Sequence, residues 1–246
     1  MQIKLLIIIG SLFTFGALLI ALSHRFRQPD SLNKNTDWTK YGIYLLLVVS
    51  LLTLTYSSRL LLALILGAIS VAGSLELYRN LRHKSAYPFV LSLTFFFFLI
   101  LCLGHLLFQN TTTWFSGFAF VFLLVATTDS FSQLWGKLLG NHKLCPNLSP
   151  GKTLEGLIGG ILSTVVISLL LRFLIPGANP LHIVVMALII GASATGGDLL
   201  FSYIKRKLGI KDFSGILPGH GGILDRFDSL IVTAPVFYWT RFLIFS

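Results

Sequence analysis

The sequence predicts an all-α, polytopic integral membrane protein, and two observations carry that prediction. Hydrophobic residues make up 54% of the 246 residues and charged residues only 11%, whereas soluble domains carry roughly 25% charge. The apolar residues also gather into runs close to the roughly 20 residues that an α-helix needs to cross a bilayer. Because lipid offers the backbone no hydrogen bonds, each run is expected to be a helix of one membrane domain over residues 1–246.

Eight apolar runs are long enough, or nearly long enough, to be membrane helices. They cover residues 3–22, 41–57, 60–77, 86–108, 114–134, 153–173, 182–201 and 229–245. The first run is longer than the apolar core of a typical signal peptide and no A-x-A cleavage motif follows it, so we expect a retained helix. Residues 1–113 then form an N-terminal helical part, and residues 114–246 form the part that carries the polar motifs.

The distribution of Lys and Arg predicts the orientation of these helices. Fifteen of the 19 basic residues lie in four connecting segments, which are residues 23–40, 78–85, 135–152 and 202–228. Short loops rich in Lys and Arg stay in the cytoplasm, so these segments are predicted to be cytoplasmic and both termini non-cytoplasmic. The last two segments are therefore expected to form one polar site that faces the cytoplasm.

Charge and cysteine content argue against two other kinds of site. The net charge of +10 comes from basic residues in loops between apolar runs, a pattern that sets membrane topology and does not indicate a nucleic-acid partner. An anionic lipid head group or a nucleotide is the expected partner, besides the bilayer itself. Cys102 and Cys145 lie far apart and match neither a disulfide framework nor a zinc-ligand spacing.

Only nine residues are acidic, so the position of each is informative. Asp129 and Asp198 fall inside an apolar run or at its cytoplasmic end. An ionisable group at membrane depth costs at least about 2.5 kcal/mol, so a functional role is the first interpretation and a structural ion pair is the alternative. Asp30, Asp37 and Glu76 lie in or beside loops and are expected to be solvated.

The spacing of the acids and their neighbours predicts shared helix faces. Asp198, Ser202 and Lys205 lie at positions i, i+4 and i+7 of one helix. Asp225 and Asp228 are three residues apart and share a face if the last helix begins near them. Carboxylates with adjacent cations suit Mg²⁺ bound together with phosphates, because the metal prefers oxygen ligands.

The segment SPGKTLEG, which begins at Ser149, has to be compared with a phosphate-binding P-loop. In that motif four residues separate a first Gly from the Gly-Lys pair, this chain has Pro146 at the position of that first Gly, and we expect no preceding strand. The segment instead has the features of a helix start. Ser149 or Thr153 is expected to cap the helix, Pro150 to stand in its first turn, and Lys152 to bind an anion there.

The segment from Ser202 to Leu230, SYIKRKLGIKDFSGILPGHGGILDRFDSL, resembles the signature of the phosphatidate cytidylyltransferases, also called CDP-diacylglycerol synthases. Its matching polar positions are Ser202, Lys205, Arg206, Lys211, Asp212, Pro218, His220, Gly221, Gly222, Asp225, Arg226 and Asp228. The upstream HKLCPNLSPGKTLEGLIGG is similar to a second block of that family. One departure is that Ser132 and Gln133 stand where many members have Ala and Tyr.

The resemblance implies Mg²⁺-dependent transfer of CMP from CTP to phosphatidate, giving CDP-diacylglycerol and pyrophosphate in phospholipid biosynthesis at a bacterial inner membrane. The implied metal ligands are Asp198, Asp225 and Asp228. The implied catalytic residues are Asp198, Ser202, Lys205, Asp225 and Arg226. The implied substrate-binding residues are Asp129, Ser149, Lys152, Arg206, His220, Gly221 and Gly222. A second cation and a homodimer are left open.

Two other functions fit part of the pattern. A CTP-dependent polyprenol or phytol kinase would transfer the γ-phosphoryl group and release CDP, and the long H-G-G-x-x-D-R-x-D match argues against it. A cation transporter would use Asp129 and Asp198 as ligands near the bilayer midplane and would not need a long polar segment containing Gly, His and Asp.

Overall fold

The structure is a computed structural model that describes residues 2–26, 38, 41–42, 45–46, 48–53, 56, 58–81, 114–215 and 221–245. This part of the chain is mostly helical, as predicted, and it includes one β-hairpin that the sequence analysis does not predict. The helices are α1 (Gln2–Phe26), α2 (Arg59–Leu81), α3 (Trp114–Leu139), α4 (Leu154–Leu170), α5 (Pro180–Leu208) and α6 (Leu224–Phe245). The strands are β1 (Lys143–Cys145) and β2 (Ser149–Thr153).

Among the described residues, three helices are long and apolar enough to cross a membrane, namely α2, α3 and α5. Helix α4 is apolar but shorter. The predicted run over residues 86–108 lies outside the described residues. The count of eight spans and the orientation of the termini therefore stay predictions.

The chain divides into two compact units, Met1–Ser58 and Arg59–Ser246. In the first unit, the described residues between 41 and 56 are helical, as predicted for the second apolar run. The Tyr41 hydroxyl donates a hydrogen bond to the Phe13 carbonyl of α1, and the two rings meet edge to face with centroids 5.7 Å apart. All residues singled out for chemistry lie in the second unit.

Close contact between α3 and α4 depends on glycine, as the G-x-x-x-G spacing of Gly156 and Gly160 predicts. A Cβ atom at Gly156 would lie 2.5 Å from the Ser132 carbonyl oxygen of α3, and one at Gly160 would overlap the Ser132 hydroxyl. The ring nitrogen of Trp135 donates to the Ser163 hydroxyl at 3.1 Å across the same contact. The G-x-x-x-G pair is therefore a packing device.

The hairpin between α3 and α4 changes one part of the predicted helix start and confirms another, the cap at Thr153. Strands β1 and β2 are antiparallel, so a strand does precede the Gly-Lys pair, but that pair lies inside β2 and not in a phosphate loop. Thr153 is the cap of α4, since its hydroxyl accepts the Gly156 amide at 3.1 Å. Ser149 and Pro150 lie in β2, the strand that directly precedes α4, and not in the helix.

Helices α5 and α6 extend further into the polar segments than predicted. Helix α5 begins at Pro180 behind an Asn179 cap and ends only at Leu208, where Gly209 adopts a left-handed conformation with φ of 71°. Helix α6 begins at Leu224, five residues before the predicted run. Lys205 and Arg206 thereby lie near the end of α5, and Asp225, Arg226 and Asp228 lie in the first two turns of α6. Lys211 and Asp212 lie in the segment between the two helices.

Beneath these helix ends lies an apolar cluster that joins α2, α5 and α6. Its buried members are Leu77, Leu81, Phe201, Leu208, Phe213, Leu224 and Ile231. Phe213 belongs to the segment between α5 and α6, and its ring meets that of Phe201 edge to face. Burial of these side chains fixes the platform on which the polar site is built.

Candidate active site

The end of α5, the start of α6, the hairpin and α3 bring four of the predicted aspartates to one region. Asp198 comes from α5, Asp225 from the first turn of α6, Asp228 from its second turn, and Asp129 from α3. The charges of Asp198 and Asp225 act on Asp228, and those of Asp228 and Asp198 act on Asp129. Lys152 and Lys205 offset part of this negative charge.

Asp225 has the most fully bonded carboxylate of the four. Its Oδ1 lies 2.8 Å from the Lys205 ammonium, and its Oδ2 accepts the backbone amides of Phe213 at 2.8 Å and Gly222 at 2.9 Å. The Asp225 side chain is only 3% exposed. It therefore holds both ends of the segment that connects α5 to α6 and also orients Lys205.

Asp198 is more accessible, with a side chain that is 32% exposed. Its Oδ2 lies 2.5 Å from the ammonium of Lys152, which comes from β2 of the hairpin. The Ser202 hydroxyl donates to its Oδ1 at 3.4 Å, so these two residues share a helix face as their spacing predicts. The Lys152 contact joins the hairpin to α5.

Asp228 and Asp129 complete the group. Asp228 is buried, its Oδ1 accepts the Ser229 amide at 2.8 Å, and its Oδ2 lies 4.0 Å from the Lys205 ammonium. The Ser229 hydroxyl donates to Asp129 Oδ1 at 3.3 Å, which links α6 to α3. Asp129 is thus held beside the second turn of α6.

The other predicted site residues that the structure describes lie on α5, on α6, in the hairpin and just before α6. Arg206 is exposed, and its guanidinium donates to the Leu148 carbonyl in the hairpin turn at 3.3 Å. Arg226 is exposed on α6. Gly221 has a φ of 80°, a conformation that favours glycine. His220 lies outside the described residues, so its predicted role stays a prediction.

Glu76 is a further residue of the site, and the expectation that it is solvated is wrong. It is only 2% exposed on α2, and it accepts hydrogen bonds from the Ser214 hydroxyl and from the amides of Ile223 and Leu224. One local signal was available, since Glu76 is the only acid in an otherwise apolar run. Its partners are 138 to 148 residues away along the chain, so local spacing does not identify them.

The carboxylates of the site can be compared with the ligands that a divalent cation requires. Within the described residues, no three His, Cys, Asp or Glu side chains are grouped as a preformed metal centre. Lys152 and Lys205 instead contact the carboxylates. Mg²⁺ is commonly bound by one or two carboxylates together with substrate phosphates, and Asp198 and Asp228 offer such oxygen donors. The chemistry of the residues therefore fits Mg²⁺ bound with a phosphorylated substrate.

The fold and the site together define a helical protein that has helices long and apolar enough to span a membrane and a combined carboxylate and lysine site at helix ends. The sequence profile of the cytidylyltransferase family matches residues 5–244. The chain belongs to this family.

Individual relatives agree with the family assignment. The chain is 35% identical to the phosphatidate cytidylyltransferase of Rickettsia felis over 179 residues, which are 70% of this chain and 78% of the relative. It is 41% identical to the phosphatidate cytidylyltransferase of Staphylococcus haemolyticus over 118 residues, which are 48% and 45% of the two chains. It is 45% identical to the uncharacterized protein YnbB of Escherichia coli over 146 residues, which are 57% and 49%. The chain spans about half the length of most of these curated relatives.

The buried ion pair between Lys205 and Asp225 gives a stability prediction. Lys205→Met leaves a buried carboxylate without its cation, and we expect the free energy of unfolding to fall by about 3 kcal/mol. Lys207→Met is the matched control, because Lys207 is exposed two residues further along α5 and its ammonium lies over the Tyr203 ring, so its loss is expected to be below about 1 kcal/mol. Denaturant unfolding of the purified protein in detergent measures both values. Equal losses in the two variants would contradict the assigned burial.

Proposed function

We propose that this protein transfers CMP from CTP to phosphatidate, giving CDP-diacylglycerol and pyrophosphate. The observation that carries the proposal is the meeting of Asp198 and Asp228 with Lys152 and Lys205 at the helix ends, in a chain of the cytidylyltransferase family. The reaction joins two highly anionic molecules, so it needs fixed positive charge and a cation-binding site close together. The relatives that carry the name phosphatidate cytidylyltransferase support the choice of substrates.

The proposed step is an attack of the lipid phosphate oxygen on the α-phosphorus of CTP. The new bond joins that oxygen to the α-phosphorus, and the bond from the α-phosphorus to the oxygen that bridges to the β-phosphorus breaks, so pyrophosphate leaves with the electron pair. The phosphate nucleophile is already ionised at neutral pH, and a strong general base is not required. The work of the chain is to position both partners and to stabilise charge.

The cationic side chains have distinct places in this proposal. Lys205 is held at the floor of the site by Asp225 and faces the phosphates as a fixed charge. Lys152 lies against Asp198 and would turn to a phosphate when Asp198 binds a cation. Arg206 and Arg226 are exposed and are assigned to phosphates at the rim. Ser149 of β2, Ser202 of α5 and Gly221 just before α6 are assigned to contacts with the substrates.

The cofactor proposed for the site is Mg²⁺, held by Asp198 and Asp228 with Asp225 Oδ1 and Asp129 nearby. When bound, the cation offsets the negative charge of the phosphates and makes the α-phosphorus more electrophilic. Asp225 uses three of its hydrogen-bonding positions for Lys205 and the backbone, so its main task in the proposal is to hold Lys205 and the segment that precedes α6.

Product analysis with labelled CTP tests the reaction. Purified protein, Mg²⁺ and phosphatidate are expected to move label from the α-phosphate of CTP into the lipid and label from the γ-phosphate into pyrophosphate. Asp225→Asn is expected to lower the rate by at least about 100-fold, because it removes the anchor of a fixed cation. Arg172→Gln is the control, because Arg172 is exposed in the short 3₁₀ segment after α4.

The competing outcomes of that experiment are distinct. Label from the γ-phosphate in the lipid would identify a kinase and overturn the proposal. Lipid labelling by Asp225→Asn at the rate of the Arg172→Gln control would remove the role assigned to Asp225. A thermal melt of both variants in detergent checks that each is folded.

The proposal includes a bacterial inner membrane location with eight helices and a site that faces the cytoplasm. Cys145 is the last residue of β1, where it pairs with Ser149 of β2, and it is a free thiol. In a Cys102→Ser background, a membrane-impermeant maleimide is expected to label Cys145 in inside-out vesicles and not in right-side-out vesicles. The opposite pattern would contradict the orientation predicted from the distribution of Lys and Arg.

A further inference from the structure

We propose that Glu76 is a positioning residue that holds the start of α6, and with it the acidic face of the active site, in the catalytic arrangement. The proposal rests on the function proposed above. It concerns a residue of the N-terminal part of the chain, far in sequence from the motif. Three features of its surroundings carry the inference.

The first feature is the number of bonds that the Glu76 carboxylate accepts. Its Oε1 accepts the Ser214 hydroxyl at 2.6 Å and the Ile223 amide at 3.0 Å, while its Oε2 accepts the Leu224 amide at 2.9 Å. One turn further along α2, the Asn80 amide donates to the Phe213 carbonyl at 2.7 Å. Helix α2 therefore holds both ends of the segment between α5 and α6.

The second feature is the position of these amides at a helix N-terminus. Leu224 is the first residue of α6, and the first amides of a helix have no partner within the helix. A negative charge is favoured there because the helix dipole is positive at that end. Glu76 thus caps α6 from a different helix, and the cap sets where Asp225 and Asp228 point.

The third feature is the lack of space beside the carboxylate. A Cβ atom at Gly222 would lie 2.6 Å from Glu76 Oε2 and 2.8 Å from its Cδ. Gly222 in turn donates its amide to Asp225 Oδ2. A continuous set of contacts therefore runs from Glu76 through Gly222 to Asp225 and Lys205.

A purely structural role for this carboxylate is the alternative. Apolar side chains of similar volume hold buried contacts at no cost in charge burial, and they are often as stabilising as a buried ion. A carboxylate that accepts hydrogen bonds from the amides at the start of α6 also fixes the direction of those amides. Apolar packing does not fix it. Measurements of catalysis and of backbone dynamics separate the two roles.

The central variant is Glu76→Gln in the full-length protein, compared with Glu155→Gln. Glu155 also accepts a backbone amide, that of His142, but in the hairpin. Hydrogen exchange followed by mass spectrometry is expected to show faster exchange over residues 221–226 in Glu76→Gln only. In Glu155→Gln the faster exchange is expected near residue 142.

The kinetic readouts distinguish positioning from loss of fold. In Glu76→Gln we expect kcat to fall about 30-fold, the loss typical of a buried hydrogen bond to a charged group. The Mg²⁺ concentration for half-maximal rate is expected to rise about tenfold, as for changes to the partners of metal ligands. The KM for phosphatidate is expected to change less than about twofold, because Glu76 does not touch the lipid. Glu76→Asp keeps the charge and is expected to recover part of kcat.

A double-mutant cycle tests the contact between Glu76 and Gly222. General destabilisation by the two substitutions would not produce the same result. Gly222→Ala is expected to lower kcat because the new methyl group meets the Glu76 carboxylate. Glu76→Asp withdraws that carboxylate by one methylene, so the double variant is expected to be more active than the product of the two single losses. Gly215→Ala, where a Cβ atom would meet nothing within 4 Å, is the matched control.

The outcomes separate the two proposals. Wild-type exchange over residues 221–226 in Glu76→Gln, or changed exchange with unchanged kcat and Mg²⁺ dependence, would overturn the positioning role. Independent effects of Glu76→Asp and Gly222→Ala would also overturn it. If the wild-type protein makes no CDP-lipid while the exchange difference is present, the proposed reaction fails and the anchoring of α6 by Glu76 stands.

Discussion

Two buried carboxylates hold the backbone that the rest of the site depends on. Glu76 binds the amides of Ile223 and Leu224, and Asp225 binds those of Phe213 and Gly222. A segment rich in glycine has high conformational freedom when unbound, so its own sequence does not fix it in one shape. Buried carboxylates that accept hydrogen bonds from several amides supply directed, charge-assisted bonds, and these bonds fix the shape of the segment. The carboxylates thereby place the first turn of α6 against the end of α5.

The same arrangement controls the charge balance of the site. Four aspartates in one region repel one another, and the low dielectric of a membrane protein strengthens that repulsion. Lys205 and Lys152 offset it, but in different surroundings: Lys205 is nearly buried against Asp225, while Lys152 and Asp198 remain partly open. The buried pair is suited to a fixed structural charge. The open pair is suited to exchange its partners when an anionic substrate and a cation arrive.

The sequence predicts the parts of the structure that depend on local pattern. Apolar runs locate α2, α3 and α5, and helical spacing places Ser202 beside Asp198. The apolar runs end before the helices do, because long basic side chains continue a helix beyond its apolar run. The three-residue strand β1 is too short to show a period of two.

Glu76 shows a different limit of sequence reasoning. Its carboxylate is satisfied by groups more than a hundred residues away, and no spacing rule connects α2 to the start of α6. Helical periodicity determines which residues share a face of one helix, but it carries no information on which helices meet. The position of an acid in an apolar run indicates that a partner exists. Only the packing of α2 against α6 identifies it.

The most direct test of the account is to locate a bound metal. A structure of the full-length protein with Mn²⁺ and a non-reactive CTP analogue, with the metal identified by anomalous scattering, is expected to place Mn²⁺ about 2.1 Å from carboxylate oxygens of Asp198 and Asp228. Lys152 is expected to have left Asp198 for a phosphate, with the amides of Ile223 and Leu224 still bound to Glu76. A metal bound away from these aspartates, or a nucleotide that does not reach the start of α6, would contradict the account.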